Sequence, residues 1–347
     1  VAVLSVGLVG TGTAGAALRG DERAQIVGGT AVPTGVLPEM AFVQDEIGNQ
    51  FYDCSGTVLS SNVVLTAGHC AYDPVTGALA PASDFLVATG RPDLADAATG
   101  HTSGVSQVMP YPGYDPTTHD GDAALLELST PTTAPAITLA TSNETSLWQI
   151  PTAVAIAGWG LTDGPDPYSQ PYQVQWATTV TQTPAYCLQE ASLVNESFDA
   201  AGQLCVIDAP TYTAGICSGD SGGPVLAKYL SASPIEVGIT SWSIGNSIDP
   251  CYPGWPNFFT SAASISTWAE NWVTTLAPSS PPKPTPTPGP APRPLAGHYF
   301  GHSAQDKIVK VSVAHDTIDQ MTLSYRLRCS QHHPLGYTLT TAQIPVT

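Results

Sequence analysis

Residues 26–277 read as an all-β fold closed by one helix, followed by a proline-rich linker and a second, smaller β module. Three observations lead there. Short runs of β-branched and aromatic residues recur between clusters of Gly, Pro, Asp and Asn, the pattern of a barrel or sandwich. One segment near residue 270 has a helical apolar period. Residues 278–294 hold nine prolines and no large apolar side chain, so they cannot pack a core.

Residues 1–17 are apolar and uncharged and end in Ala14-Gly15-Ala16, the small-residue pattern at which a secretory signal peptide is cleaved. The run is short and glycine-rich for a membrane span, and secretion implies oxidised cysteines. Strand patterns lie at 61–67, 85–89, 153–157 and 237–242. Ile265, Trp268, Trp272 and Leu276 recur at spacings of three and four, which puts them on one helix face able to dock on the preceding sheet. The 278–294 linker reaches about 50 Å if it adopts the polyproline conformation. Beyond it, 307–313 and 321–328 alternate like strands, in a stretch short for an independent fold.

Charge separates the same regions. The chain has 28 acidic and 10 basic residues, a net charge of -18. Residues 26–277 carry 23 of the acidic residues against only Arg91 and Lys228, whereas 278–347 is mildly basic. Nucleic-acid backbones and anionic membranes are excluded as partners, because both demand clustered Lys and Arg.

Three segments carry the chemistry: Leu65-Thr66-Ala67-Gly68-His69-Cys70, Asp120-Gly121-Asp122-Ala123-Ala124-Leu125-Leu126-Glu127-Leu128 and Cys217-Ser218-Gly219-Asp220-Ser221-Gly222-Gly223-Pro224. A serine hydroxyl needs a neutral imidazole to accept its proton, and that imidazole needs a carboxylate on its other nitrogen to fix its tautomer. Asp120 competes with Asp122 for the second task, but only Asp122 directly precedes the apolar run at 123–128.

In this order the segments resemble the chymotrypsin/trypsin-type serine endopeptidases over residues 26–277. The resemblance implies two six-stranded antiparallel β-barrels of the chymotrypsin type with a C-terminal helix. It implies His69 as general base, Asp122 as its orienting carboxylate, Ser221 as nucleophile, and the N–H groups of Gly219 and Ser221 as oxyanion hole. Ile26-Val27-Gly28-Gly29 resembles the family's mature N-terminus, whose freed ammonium pairs with Asp220. Gly158-Trp159-Gly160 and Ser241-Trp242 resemble two further landmarks. The disulfides implied are Cys54 with Cys70, Cys187 with Cys205, and Cys217 with Cys251; Cys329 is left over, its partner expected beyond Thr347.

Substrate contacts are expected from Gly215, Ile216, Ser218, Ser241, Trp242, Ser243 and Asn257. Gly215 stands at the base of the specificity pocket, where trypsins carry Asp, so cleavage after Arg or Lys is expected to be poor. Ser243 and Asn257 replace glycines of the chymotrypsin branch, and medium apolar side chains are the expected preference. Ile26 comes after Arg23-Ala24-Gln25 and not after a terminal Arg or Lys, so a short propeptide at 18–25 is expected to be removed by another protease or by trimming.

No cofactor or metal is expected, since His302, His332 and His333 fit no zinc spacing. Asn143 and Asn195 begin glycan sequons. The sequence points to a secreted, monomeric, extracellular peptidase acting on polypeptides. By analogy the leader, disulfides and linker suggest a bacterial source, with 295–347 contacting cell wall or polysaccharide. The alternatives are a triad-bearing binding protein with weak turnover, or a wall-anchored module with an auxiliary protease.

Overall fold

The structure, a computed structural model, describes residues 26–47, 50–148, 151–246 and 248–277, with the backbone of strands at 297–302, 308–314, 317–327 and 335–345. The expected signal peptide (1–17), propeptide (18–25) and linker (278–294), and Cys329, His332 and His333, lie outside the described residues.

After a two-residue strand β1 (Thr30–Ala31), six strands close a barrel: β2 (Met40–Ile47), β3 (Gln50–Ser60), β4 (Val63–Thr66), β5 (Phe85–Thr89), β6 (His101–Pro110) and β7 (Ala124–Leu128). Their order around it is β2-β3-β4-β7-β6-β5. The short β8 (Thr138–Leu139) leads to a second barrel built from β9 (Ala153–Gly158), β10 (Gln175–Thr181), β11 (Gln203–Ile207), β12 (Pro224–Ala227), β13 (Ile235–Ser243) and β14 (Asn257–Ser261). Here the order is β10-β11-β14-β13-β12-β9, and pairing of β10 with β9 closes the ring. The expected strands at 61–67, 85–89, 153–157 and 237–242 correspond to β4, β5, β9 and β13.

Helix α1 (Pro184–Leu193) has no counterpart among the elements expected from sequence. Only Cys187 and Ala191 are buried on it, too narrow a stripe to register as a period. A cap makes it instead: Thr183 Oγ1 accepts from Tyr186 N, and Pro184 stands in the first turn. Helix α2 (Ala262–Thr275) runs where Ile265, Trp268, Trp272 and Leu276 point to it. These four side chains pack on Val63, Leu65, Met109 and Leu125 of the first barrel and Ile239 of the second. Trp268 meets Tyr111 edge-on at 5.2 Å, and Asn62 Nδ2 donates to Leu276 O at 2.6 Å. Helix α2 and the residue after it thus clamp the two barrels together. Each fully buried Leu or Ile there stabilises by about 1.5–3 kcal/mol.

Three disulfides form: Cys54–Cys70, Cys187–Cys205 and Cys217–Cys251, with Cα separations of 6.5, 5.9 and 5.1 Å. Further along the chain, β15 (Gly297–His302), β16 (Ile308–Ala314), β17 (Thr317–Leu327) and β18 (Leu335–Pro345) pair consecutively as a four-stranded antiparallel sheet. Among the described residues no helix is long and apolar enough to cross a membrane.

Candidate active site

Antiparallel pairing of β4 with β7 sets Thr66 opposite Ala124, so the residues just beyond each strand meet. His69 lies in the short 3-10 turn after β4, and Asp122 lies just before β7 with no exposed surface. Asp122 grips His69 twice: Oδ1 accepts from the backbone N at 2.7 Å and Oδ2 from the ring Nδ1–H at 2.8 Å. A carboxylate accepts only, which places the ring proton on Nδ1 and leaves Nε2 as a base. The second barrel adds Ser241 Oγ, which donates to Asp122 Oδ2, and Thr260 Oγ1, which donates to the Asp122 carbonyl at 3.0 Å. Asp120 is held apart, accepting from Gln203 Nε2 and Thr118 Oγ1.

Burial alone would push the Asp122 carboxyl up, but the imidazole charge and the bonds from His69 and Ser241 hold it below the ordinary value. Burial acts to lower His69; the Asp122 charge and hydrogen bond outweigh it and raise the imidazole above its ordinary value.

Ser221 sits in a tight turn fixed by Asp220 N to Cys217 O at 3.0 Å, Gly223 N to Asp220 O at 2.8 Å and Gly222 N to Thr240 O at 2.8 Å. Leu161 N donates to Ser218 O at 2.8 Å. Because a trans peptide points its C=O and N–H in opposite directions, that bond turns the Gly219 N–H the other way; Gly219 has φ +100°. Among the described residues the N–H groups of Gly219 and Ser221 have no acceptor. Ser221 and His69 line one cavity of about 370 Å³, with no hydrogen bond between them.

Asp220 also has no exposed surface. Its carboxylate accepts from Gly160 N at 2.8 Å and Cys217 N at 2.9 Å. The Gly-Trp-Gly segment has a steric reason here: a Cβ on Gly158 or Gly160 would stand 2.3 or 2.5 Å from the Asp220 side chain. Burial outweighs the two amide bonds and pushes the carboxyl up to about 7. Ile26 is fully buried in the second barrel's core, and no cationic side chain among the described residues reaches Asp220.

The other expected substrate contacts divide. Ser218 and Gly219 line the cavity beside Ser221, whereas Gly215, Ile216, Ser241, Trp242, Ser243 and Asn257 do not. Gly215 pairs with Val27, and Ile216 N donates to Asn257 Oδ1 at 3.1 Å. Asn257 is buried opposite Ser243 in the β13–β14 register, with its amide over Gly215. Trp242 stacks flat on Phe258 at 3.9 Å and against His119 at 5.4 Å. Ser241, expected to touch substrate, turns its hydroxyl onto Asp122.

Ser55 was not anticipated. Its hydroxyl accepts from Trp159 N at 3.1 Å and donates to Gly219 O at 2.9 Å, and its N–H donates to Ser221 O at 2.8 Å. It braces the turn that carries Ser221, and its sequence offers only proximity to Cys54 as a signal. Cys54, His69 and Cys70 bring three metal-ligand atoms within 4.8 Å of one another, but the two sulfurs are bonded to each other, so no thiolate is offered.

The family model described as Trypsin matches residues 26–269. Similar proteins include a fibrinolytic enzyme, isozyme C, of Lumbricus rubellus, 28% identical over 70% of this chain and 98% of its own length. Trypsin-1 of Astacus astacus is 29% identical over 70% of this chain and 98% of its own length. Serine protease 56 of Homo sapiens is 30% identical over 74% of this chain, which spans only 40% of that protein.

Proposed function

Because the chain belongs to the trypsin family of serine proteases, we propose that it cleaves polypeptides through an acyl-enzyme on Ser221. His69 Nε2 takes the Ser221 proton as Oγ attacks the carbonyl, Asp122 stabilises the imidazolium, and the resulting oxyanion is met by the N–H groups of Gly219 and Ser221. His69 then passes the proton to the leaving amine. The observation that carries this reading is the double grip of the buried Asp122 on His69, with Ser221 and the unpartnered Gly219 N–H on the same cavity. A serine-directed fluorophosphonate should label the matured protein and not Ser221→Ala. Equal labelling of both, or of neither, would favour a protein that binds without turning over.

On the acyl side, Gly215 supplies no carboxylate for a basic side chain, and Asn257 lies buried across the base. Small to medium apolar residues before the scissile bond fit such a pocket. Peptide-library profiling tests this: Asn257→Gly should move preference towards larger residues, and dominant cleavage after Arg or Lys would contradict it.

Maturation before Ile26 would deliver an ammonium to Asp220, a buried carboxylate with no counter-ion among the described residues. N-terminal sequencing of active material should begin at Ile26. The apolar leader and three disulfides support secretion. Polysaccharide or wall contact is the role proposed for 295–347. The similar proteins of Lumbricus, Astacus and Homo come from animals and lend no support to a bacterial source.

A further inference from the structure

Glu236 lies on β13 with no exposed surface, and Glu39, just before β2, is only 5% exposed. Glu236 Oε2 accepts from Thr57 Oγ1 of β3 at 2.7 Å, so one buried carboxyl joins the second barrel to the first. Glu39 O accepts from Val58 N at 2.8 Å, which sets Glu39 beside Thr57 in the chain pairing. Among the described residues, Oε1 of Glu236 and Oε1 of Glu39 have no hydrogen-bond partner. Such a place is costly for a carboxylate and far less so for the neutral acid. We propose that Glu236, held neutral between the barrels, is a positioning residue for the turn that carries Ser221, and that its ionisation loosens the seam between β3 and β13 and sets an alkaline limit on turnover. The inference rests on the proteolytic activity proposed for Ser221 and names a regulation of it.

Side chains two apart on a strand share a face, and on β3 both Ser55 and Thr57 turn to the second barrel. Ser55 Oγ donates to Gly219 O at 2.9 Å, and Ser55 N donates to Ser221 O at 2.8 Å. Thr57 is the next link of the same seam. From Glu236, β13 runs on to Ser241, whose hydroxyl meets Asp122. A carboxylate at Glu236, with the Thr57 hydroxyl as its one donor among the described residues, is drawn towards water; if the strands part there, Ser55 and Ser241 move with them. Burial and the Glu39 charge push the Glu236 carboxyl up to about 8. Among the described residues Glu39 is the one charged group that acts on it. On its rung β8 and β12 present Leu139 and Leu226, β14 carries no titratable side chain, and Glu270 of α2 is exposed. Asp45, Glu46, Tyr52 and Asp53 lie at the far end of the β2–β3 hairpin, and Lys228, past β12, is exposed.

The pH dependence of peptide turnover tests the link. In protein matured to Ile26, kcat/KM should fall on an alkaline limb near pH 8 while near-ultraviolet circular dichroism persists. Glu236→Gln keeps an oxygen for Thr57 and cannot ionise, so the limb should move up by about one pH unit or more. Glu39→Gln removes the like charge, so Glu236 ionises earlier and the limb should move down by about half a unit. Titration of an Ile26 ammonium, which neither substitution alters, would not give shifts of opposite sign. Should Glu236→Gln fail to fold, the downward shift in Glu39→Gln decides alone. A wild type without the limb, a limb that stays in place in the variants, or dichroism lost together with turnover overturns the positioning role and leaves the proteolytic activity standing. Absence of Ser221-dependent turnover at every pH overturns the proteolytic activity and the positioning role with it.

Discussion

Asp122 and Asp220 are both aspartates with no exposed surface, yet their surroundings drive them in opposite directions. Asp122 accepts from His69 twice and from Ser241, and its carboxyl stays below the ordinary value. Among the described residues Asp220 accepts only from two backbone amides, and its carboxyl rises to about 7. Neutral amide dipoles do not match the desolvation of a carboxylate, whereas an ionisable partner does. Among the described residues Asp122 has an ionisable partner and Asp220 has none.

The sharpest way to break that contrast is to remove the charge at Asp122. Asp122→Asn keeps the shape but offers an N–H where His69 Nδ1–H needs an acceptor, so the imidazole presents the wrong tautomer. kcat should fall about 10⁴-fold, the magnitude already known for the orienting carboxylate of this family's triad. A fall of less than tenfold in peptide turnover would mean that Asp122 does not serve His69. Asp220→Asn should act by another route. In protein matured to Ile26 it would remove one partner of the proposed Ile26–Asp220 ion pair, a loss of about 3–5 kcal/mol, so turnover should drop about 10²- to 10³-fold.

In unmatured protein Asp220→Asn should instead change the response to pH. The folded carboxyl is raised to about 7 from 3.8, so between those values the native state holds a proton that the unfolded state has released. Asp220's contribution to stability is thus full below pH 3.8 and is lost as pH rises towards 7. Urea titrations over that window should show a shallower decline in the variant than in the unmatured wild type. An unchanged slope would place the proton elsewhere.

The sequence carries some of this contrast and hides the rest. His69, Asp122 and Ser221 stand in segments distinctive enough to be picked out without coordinates, and the apolar run at 123–128 separates Asp122 from Asp120. The all-β pattern and helix α2 are equally legible, because their periods are wide and regular. Helix α1 is not, since one capping hydrogen bond and two small buried residues make it. Ser55 and the hydroxyl of Ser241 escape for a different reason. Each makes its key bond to residues more than 100 positions away, and only closure of the two barrels brings those partners together.

Ser241 supplies the finest probe of the Asp122 side. Its hydroxyl shares Oδ2 with His69 Nδ1, so it draws off part of the carboxylate charge that the imidazolium would otherwise feel. Ser241→Ala leaves both His69 bonds in place and removes one charge-assisted hydrogen bond, a loss of about 1.5–3 kcal/mol. Turnover should fall about tenfold, far less than in Asp122→Asn. The pH profile separates this positioning role from loss of packing. His69 is raised above its ordinary 6.5, so the acid limb of kcat/KM in the wild type should lie above that value, where the base becomes neutral. With Oδ2 released from Ser241, the carboxylate holds the imidazolium more firmly and the limb should move to higher pH. A limb that stays in place while turnover falls would make Ser241 a packing residue; a limb that moves down would reverse the charge-sharing argument.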